Sequence, residues 1–399
     1  MTETPGRLAI LGALFAALAA LLVAGVAQAE AEPRHGIAMH GRPKHGPATT
    51  HLPYVNPDAP KGGRLSLGQL GAFDSLNPLI IKGQAATGIR DFVIESLLGR
   101  ALDEPFTLYG LIAESVDVPA DRSSITFRIR PQARFSDGAP ITADDVIASH
   151  ALLAAKGLPY MRAYYGKVER AVRLGEREVR FEFKAGGDRE IPLILGLMPV
   201  LPRHRFTPET MDQTTLEPII GSGPYVIAEV DRGRAVTFRR NPDYWGRELW
   251  LVKGRFNFDE VRYTYYSEAE VMFRDFLAGH IDFRLEDDPK RWATDYELPP
   301  VRDGRIVRES VPIALPAGMS ALVFNARRPV FADRTVRRAL IHAFDGDRIN
   351  RTLYHGLYTR TESYFDRSYL ASRGRPADER ERSLLAPWLD RLAPRILEG

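Results

Sequence analysis

The 399-residue chain contains no cysteine. That absence excludes disulfides, zinc-thiolate sites, iron-sulfur clusters and cysteine nucleophiles together. Nor does the chain carry a massed block of one charge. Its 54 Lys and Arg are scattered among 51 Asp and Glu, leaving a formal balance of +3, which argues against a dedicated nucleic-acid binder. Catalytic signatures are missing as well: there is no G-x-S-x-G elbow and no H-E-x-x-H zincin motif. The stretch "GSGPY" (Gly221 to Tyr225) lacks the spacing and the lysine-serine/threonine pair of a phosphate loop, so it reads as a tight turn entering the strand "YVIAEV". Asp144 with Asp145, and Asp287 with Asp288, are adjacent and point apart, as helix caps and surface carboxylates do. No fixed-period repeat is present, which excludes solenoids and propellers.

What is there suits a folded protein of two domains, with 44% hydrophobic and 26% charged residues. At the start, Arg7 precedes an apolar run from Leu8 to Val26, and Ala27 and Ala29 flank Gln28. This layout predicts a signal peptide over residues 1–29, cleaved after Ala29, and a soluble exported protein. The alternative is an uncleaved anchor, since about 20 apolar residues span a bilayer. No second apolar run of that length follows Val26. An exported protein of this size without disulfides relies on its core, which suits the periplasm.

Apolar and polar residues alternate as in half-buried strands in "GRLSLGQL", "SITFRIR", "REVRFEFK", "RAVTFRR" and "EVRYTYY". Helices are predicted between them. Thr142 and Asp145 mark one start and Gly157 its end. Ser267 and Glu270 form a candidate capping box before a face of Ala269, Met272, Phe273, Phe276 and Leu277, stopped by Gly279. Asp333 caps a third helix with an apolar face of Val336, Ala339, Leu340, Ala343 and Phe344. The far end, rich in charge and proline, reads as helical pieces around turns at Pro387 and Pro394. Strands and helices so mixed predict an α/β or α+β protein. The dense aromatics, such as Tyr164 with Tyr165 and Tyr244 with Trp245, are expected in the core or in a cleft wall.

One stretch, "HGIAMHGRPKHGPATTH", holds His35, His40, His45 and His51. Neutral imidazoles are common metal ligands, so a metal or metal-chelate binding arm is an alternative reading. Intervals of five, five and six do not stack on a helix face, and the glycines and prolines between them would lose much entropy in organising around an ion.

Three longer stretches carry a resemblance: "KGGRLSLGQLGAFDSLNPLIIKG", "FRIRPQARFSDGAPITADDVIASHALL" and "GSGPYVIAEVDRGRAVTFRRNPDYWG". In that order they resemble the solute-binding proteins of oligopeptide and nickel ABC transporters, family 5. Further segments, "YVNPDAPKGG", "GRFNFDEVRYTYYSEAEVMFRDFLAGHID" and "MSALVFNARRPVFADRTVRRALIHAFD", are similar to its YejA-like branch.

The resemblance implies an α/β fold of the periplasmic-binding-protein type II: two lobes about a hinge, with an extra subdomain in the first. Residues 30–85 and 201–325 then form lobe 1, 86–200 the subdomain, and 326–399 the opening of a second lobe that is incomplete. Family members continue beyond the equivalent of Gly399, so an exposed apolar patch is expected where their remainder packs. The implied function is periplasmic capture of oligopeptides, including murein-derived peptides or peptide-nucleotide antibiotics. The implied partner is an inner-membrane ABC permease with its cytoplasmic ATPase. No cofactor, no nucleic acid and no catalysis are expected, a periplasmic enzyme being the third reading, and the protein is expected to be a monomer. Ligand contacts are expected from Phe73, Asp74, Ser75 and Asn77 in the loop after the first strand, and from Tyr225 and Trp245. Asn325, ending a strand at the lobe crossover, and Arg327, facing a ligand carboxylate, complete the set. Asp74 and Asn77 also suit a turn that satisfies only its own backbone.

Overall fold

The computed structural model describes residues 34–184, 188–312, 318–368, 371 and 374–398. The expected signal peptide lies outside them. The chain divides into two compact units, Met1–Phe283 and Arg284–Gly399. This division falls earlier than the 325/326 boundary that the resemblance implies.

The first unit holds all the strands found among the described residues. In chain order they are β1 (Gly36–Ala38), β2 (Arg64–Leu70), β3 (Leu98–Gly99), β4 (Thr107–Gly110), β5 (Ala113–Asp117) and β6 (Ser124–Ile129). There follow β7 (Val168–Gly175), β8 (Glu178–Phe183), β9 (Tyr225–Asp231), β10 (Ala235–Arg240) and β11 (Glu260–Tyr266). Its helices are α1 (Ile89–Phe92), α2 (Ala143–Lys156), α3 (Pro159–Tyr165), α4 (Ile191–Gly196) and α5 (Ala269–Leu277).

The strands form three sheets, ordered β1-β4-β3, β2-β11-β10-β9 and β5-β6-β8-β7. Only the β2–β11 pair is parallel. Each alternating stretch read from the sequence became a strand. In β6, Ile125, Phe127 and Ile129 are buried and Arg128 is exposed, because successive side chains point to opposite faces. The helix start expected at Thr142 and Asp145 is observed, and there the Asp145 side chain accepts from the Thr142 amide at 3.0 Å, completing a capping box on α2. At α5 the expected box of Ser267 and Glu270 does not form. Glu268 is the N-cap, so Glu270 sits one position too early to reach back.

The chain after α1 meets the segment Gly221 to Trp245 in a buried knot. After α1, the carbonyls of Phe92 and Val93 lie against the turn Gly221–Gly223. A Cβ on Gly221 would stand 1.9 Å from the Val93 oxygen, and one on Gly223 2.3 Å from the Phe92 oxygen. Glycine serves "GSGPY" as a close-approach residue. Trp245 Nε1 donates to the Ser222 carbonyl at 3.0 Å, and the Tyr244 hydroxyl donates to Glu95 Oε1 at 2.5 Å. Burial pushes the Glu95 carboxyl up to about 7, against the opposing hydrogen bond from Tyr244.

The second unit is helical among its described residues: α6 (Pro289–Thr294), α7 (Pro299–Arg302), α8 (Pro329–Ala332), α9 (Arg334–Ala343), α10 (Gly346–Leu353), α11 (Glu379–Leu385) and α12 (Arg395–Glu398). Asp333 caps α9 by accepting from the Thr335 amide at 2.7 Å, as expected. Tyr296 is the one buried hydrophobic residue among those described here. Its hydroxyl donates to Glu286 at 2.9 Å, and Glu286 pairs with Arg284 at 3.0 Å. The strand expected to end at Asn325 is not formed: residues 318–325 are neither helix nor strand. A strand needs a neighbour for its N–H and C=O groups, and no described segment pairs with this one.

Candidate functional site

Ligands of open α/β sheets bind in the crevice outside the carboxyl ends of parallel strands. Here β2 and β11 end together: Leu70 pairs with Tyr266, and the Gly71 amide donates to the Tyr266 carbonyl at 2.9 Å. Three chain segments rim this end. The first is the loop from Gly71 to Ser75. The second, residues 82–86, runs beside it, with the amides of Asp74 and Ser75 both donating to the Gln84 carbonyl and the Gln84 amide donating to Asp74 Oδ1 at 2.6 Å. The third is the β9–β10 hairpin tip, residues 231–234. The Tyr265 amide donates to the Arg234 carbonyl at 2.7 Å, and a Cβ on Gly233 would lie 3.6 Å from the Phe73 oxygen.

Exposed groups of both signs crown the rim: Lys82, Arg232 and Arg234 beside Asp74 and Asp231. Leu70 adds an exposed apolar side chain. Below them the rim is anchored. The Phe73 ring packs on Tyr265 with centroids 5.0 Å apart, and the Tyr265 hydroxyl accepts from the Thr87 amide at 2.8 Å. Burial and a hydrogen bond to Asp275 push Tyr266 up to about 12. Asp275 in turn is held below the usual carboxylate range by His280, at 2.8 Å, and by Tyr266.

The site residues named from the sequence therefore separate. Asp74 stands exposed on the rim, while Phe73 is buried and shapes the loop. Ser75 and Asn77 are buried and engaged internally: Asn77 Nδ2 donates to the Met211 carbonyl at 2.9 Å, and Asn77 Oδ1 accepts from Leu79. Tyr225 donates to the Phe258 carbonyl at 2.8 Å, and Trp245 belongs to the knot around Glu95. Asn325 and Arg327 are exposed in the second unit, where Asn325 Oδ1 accepts from the Arg327 amide and Nε. Lys82, Gln84, Arg232 and Arg234 were not foreseen. Gly83 and Gly233, both at positive φ, were the available signals of tight turns there.

The histidine stretch is a clasp rather than a gathered set of ligands. His45 is buried, and its Nε2 lies 3.0 Å from Asp103 Oδ1, while Lys44 Nζ donates to Asp103 Oδ2 at 2.6 Å. Burial raises the Asp103 carboxyl, but Lys44 and His45 outweigh it and hold the pKa below the ordinary value. The His45 ring also packs against Tyr109 and Trp250, with centroids 5.6 and 5.5 Å away. His35 Nε2 sits 2.7 Å from the His45 carbonyl, whereas His40 is exposed. Among the described residues no group of three or more His, Cys, Asp or Glu side chains is placed to hold a metal ion.

Known proteins share this fold. The oligopeptide-binding protein AppA of Bacillus subtilis, solved in complex with a nonapeptide, has a TM-score of 0.58 to this chain at 21% identity, over 82% of this chain and 64% of that one. The fold is that of the type II periplasmic binding proteins. Residues 107–385 match the bacterial extracellular solute-binding proteins, family 5 middle region, and the chain belongs to this family. A binding protein of Brucella melitensis is 42% identical over 379 residues, 93% of this chain and 62% of that protein. The peptidoglycan-binding protein YepA of Agrobacterium fabrum is 43% identical over 406 residues, 98% of this chain and 66% of its own. The chain thus spans less than two thirds of the length of these relatives.

Proposed function

We propose that this protein is the exported solute-capturing component of an ABC importer, and that it takes oligopeptides, murein-derived peptides among them, for delivery to an inner-membrane permease. The observation that carries this reading is the rim at the carboxyl ends of β2 and β11. A peptide brings an ammonium, a carboxylate and main-chain donors and acceptors; the rim offers exposed Asp74 and Asp231, exposed Lys82, Arg232 and Arg234, and loop backbone. Recognition of termini and main chain, with water filling loose side-chain pockets, lets one protein accept many sequences. Family membership and the name of the Agrobacterium relative support the ligand class. Capture needs no covalent chemistry.

Photolabelling tests the proposal. A tripeptide and a murein-derived peptide bearing a photoreactive group are expected to label residues 71–75, 82–86 or 231–234, with free peptide competing. Labelling confined to other surfaces, or a saturable response to nickel or zinc at residues 35–51 with no peptide response, would overturn it.

A further inference from the structure

The loop from Arg100 to Phe106 in the first unit is turned inside out. A loop of this composition is expected to give its acids to water and hide its apolar side chains. Here the acids are spent on the chain itself. Asp103 Oδ2 accepts from Lys44 Nζ at 2.6 Å and Oδ1 lies 3.0 Å from His45 Nε2. Glu104 Oε1 accepts from the Lys44 amide at 2.9 Å, and Oε2 accepts from the Tyr109 hydroxyl. The apolar side chains stand in water instead, Leu102 70% exposed and Phe106 50%. Both ends of the loop are fixed. The Leu102 amide donates at 2.8 Å to the hydroxyl of Tyr54, itself 45% exposed, and the Met39 amide donates to the Phe106 carbonyl at 2.9 Å. Phe106 is held at φ 59°, which a bulky residue adopts only under constraint. Backbone strain that surrounding bonds enforce points to a use for the side chain it displays.

The charges around the loop indicate the occupant. Within residues 39–46 and 100–106 the exposed ionisable side chains are His40, Arg42, Lys44 and Arg100, while Asp103 and Glu104 are half-buried in the bonds above. The loop's carboxylates and its Leu102 and Glu104 amides are already engaged, which leaves little for the polar rim of a protein partner. Apolar side chains set among cations instead match a surface that is anionic outside and apolar beneath. We propose that residues 100–106, with Tyr54 and Arg42, dock this protein reversibly on a bilayer of anionic phospholipid. Leu102, Phe106 and Tyr54 enter the headgroup layer, and Arg42, Lys44 and Arg100 face the phosphates. So small an apolar area gives brief attachment rather than permanent anchoring. Docking concentrates the protein at a membrane whichever solute it takes.

The test is flotation with vesicles of equimolar phosphatidylcholine and phosphatidylglycerol. It uses the chain from Glu30 onward, because the apolar run Leu8 to Val26 would itself enter a bilayer. The protein is expected to float with these vesicles, several-fold less with pure phosphatidylcholine, and to be released by salt. The double variant Leu102→Ser, Phe106→Asn changes side chains already in solvent, and asparagine tolerates a positive φ. It is expected to keep the circular dichroism and melting of the parent and to weaken vesicle binding about tenfold or more. Arg42→Gln and Arg100→Gln are each expected to weaken it about fivefold, on the anionic vesicles alone. Absence of binding, equal binding to both kinds of vesicle, or binding indifferent to the double variant overturns the proposal. So does a dimer, seen by light scattering without vesicles, that the double variant dissolves, since the occupant is then a second copy.

Discussion

The two units use similar apolar residues in opposite ways. In the first, Phe127, Phe181 and Phe238 are wholly buried and the alternating strands close over them. In the second, a helix with as clear an apolar stripe keeps it in water. Periodicity therefore specifies an element and the face it must bury, while burial itself depends on what the rest of the chain supplies. Chain geometry supplies it in the first unit, where strands far apart in sequence pair around one core.

Phe127→Ala should break the contrast most sharply. Truncating a buried Phe costs about 3–5 kcal/mol through lost transfer energy and the cavity left behind. Leu340→Ala, at a solvent position, should stay within about 0.5 kcal/mol. Denaturant unfolding measures both; equal losses would refute the division into a packed and an unpacked unit.

Next in size is the pH response of Glu95. Its folded pKa of about 7 lies above the ordinary 4.5. The folded state therefore binds the proton more tightly than the unfolded chain. This contribution to stability is complete below pH 4.5 and is lost as pH rises through 7, by roughly 3 kcal/mol. Glu95→Gln should flatten that part of the stability curve between pH 4.5 and 7.5. An unaltered slope would place the titration elsewhere.

Thr142→Ala removes the cap of α2 and should cost about 1 kcal/mol, a loss readable as a lowered urea midpoint with unchanged slope. The smallest effect belongs to Arg170, whose pair with Glu182 is exposed on β7 and β8. Arg170→Ala should change stability by less than about 0.5 kcal/mol; a larger loss would mean that this edge is packed against something.

Legibility in the sequence followed the range of the interactions. Strand alternation and the helix start at Thr142 depend on neighbours a few residues apart, and both were visible. The strand before Asn325 was not formed because strandedness belongs to a pair. The rim was half visible: the Phe73–Asn77 loop could be named, but Gln84 and the hairpin at Arg232 join it only through folding. Ser75 and Asn77 looked like ligand contacts because a buried polar side chain and a binding one have the same composition. The clasp of His45 was hidden for the same reason, its partners Asp103, Tyr109 and Trp250 lying far along the chain.

The parallel pair β2–β11 imposes an order in time. Arg64 of β2 meets Glu260 of β11 across 196 residues of chain. At roughly 5–20 residues per second of synthesis, β2 waits on the order of 10–40 s for its neighbour. Until then the strand that heads the rim has an open edge, and closing so long a loop is a slow step. The rim is thus among the last features of the first unit to become complete, and whatever holds the growing chain unfolded has that interval in which to act.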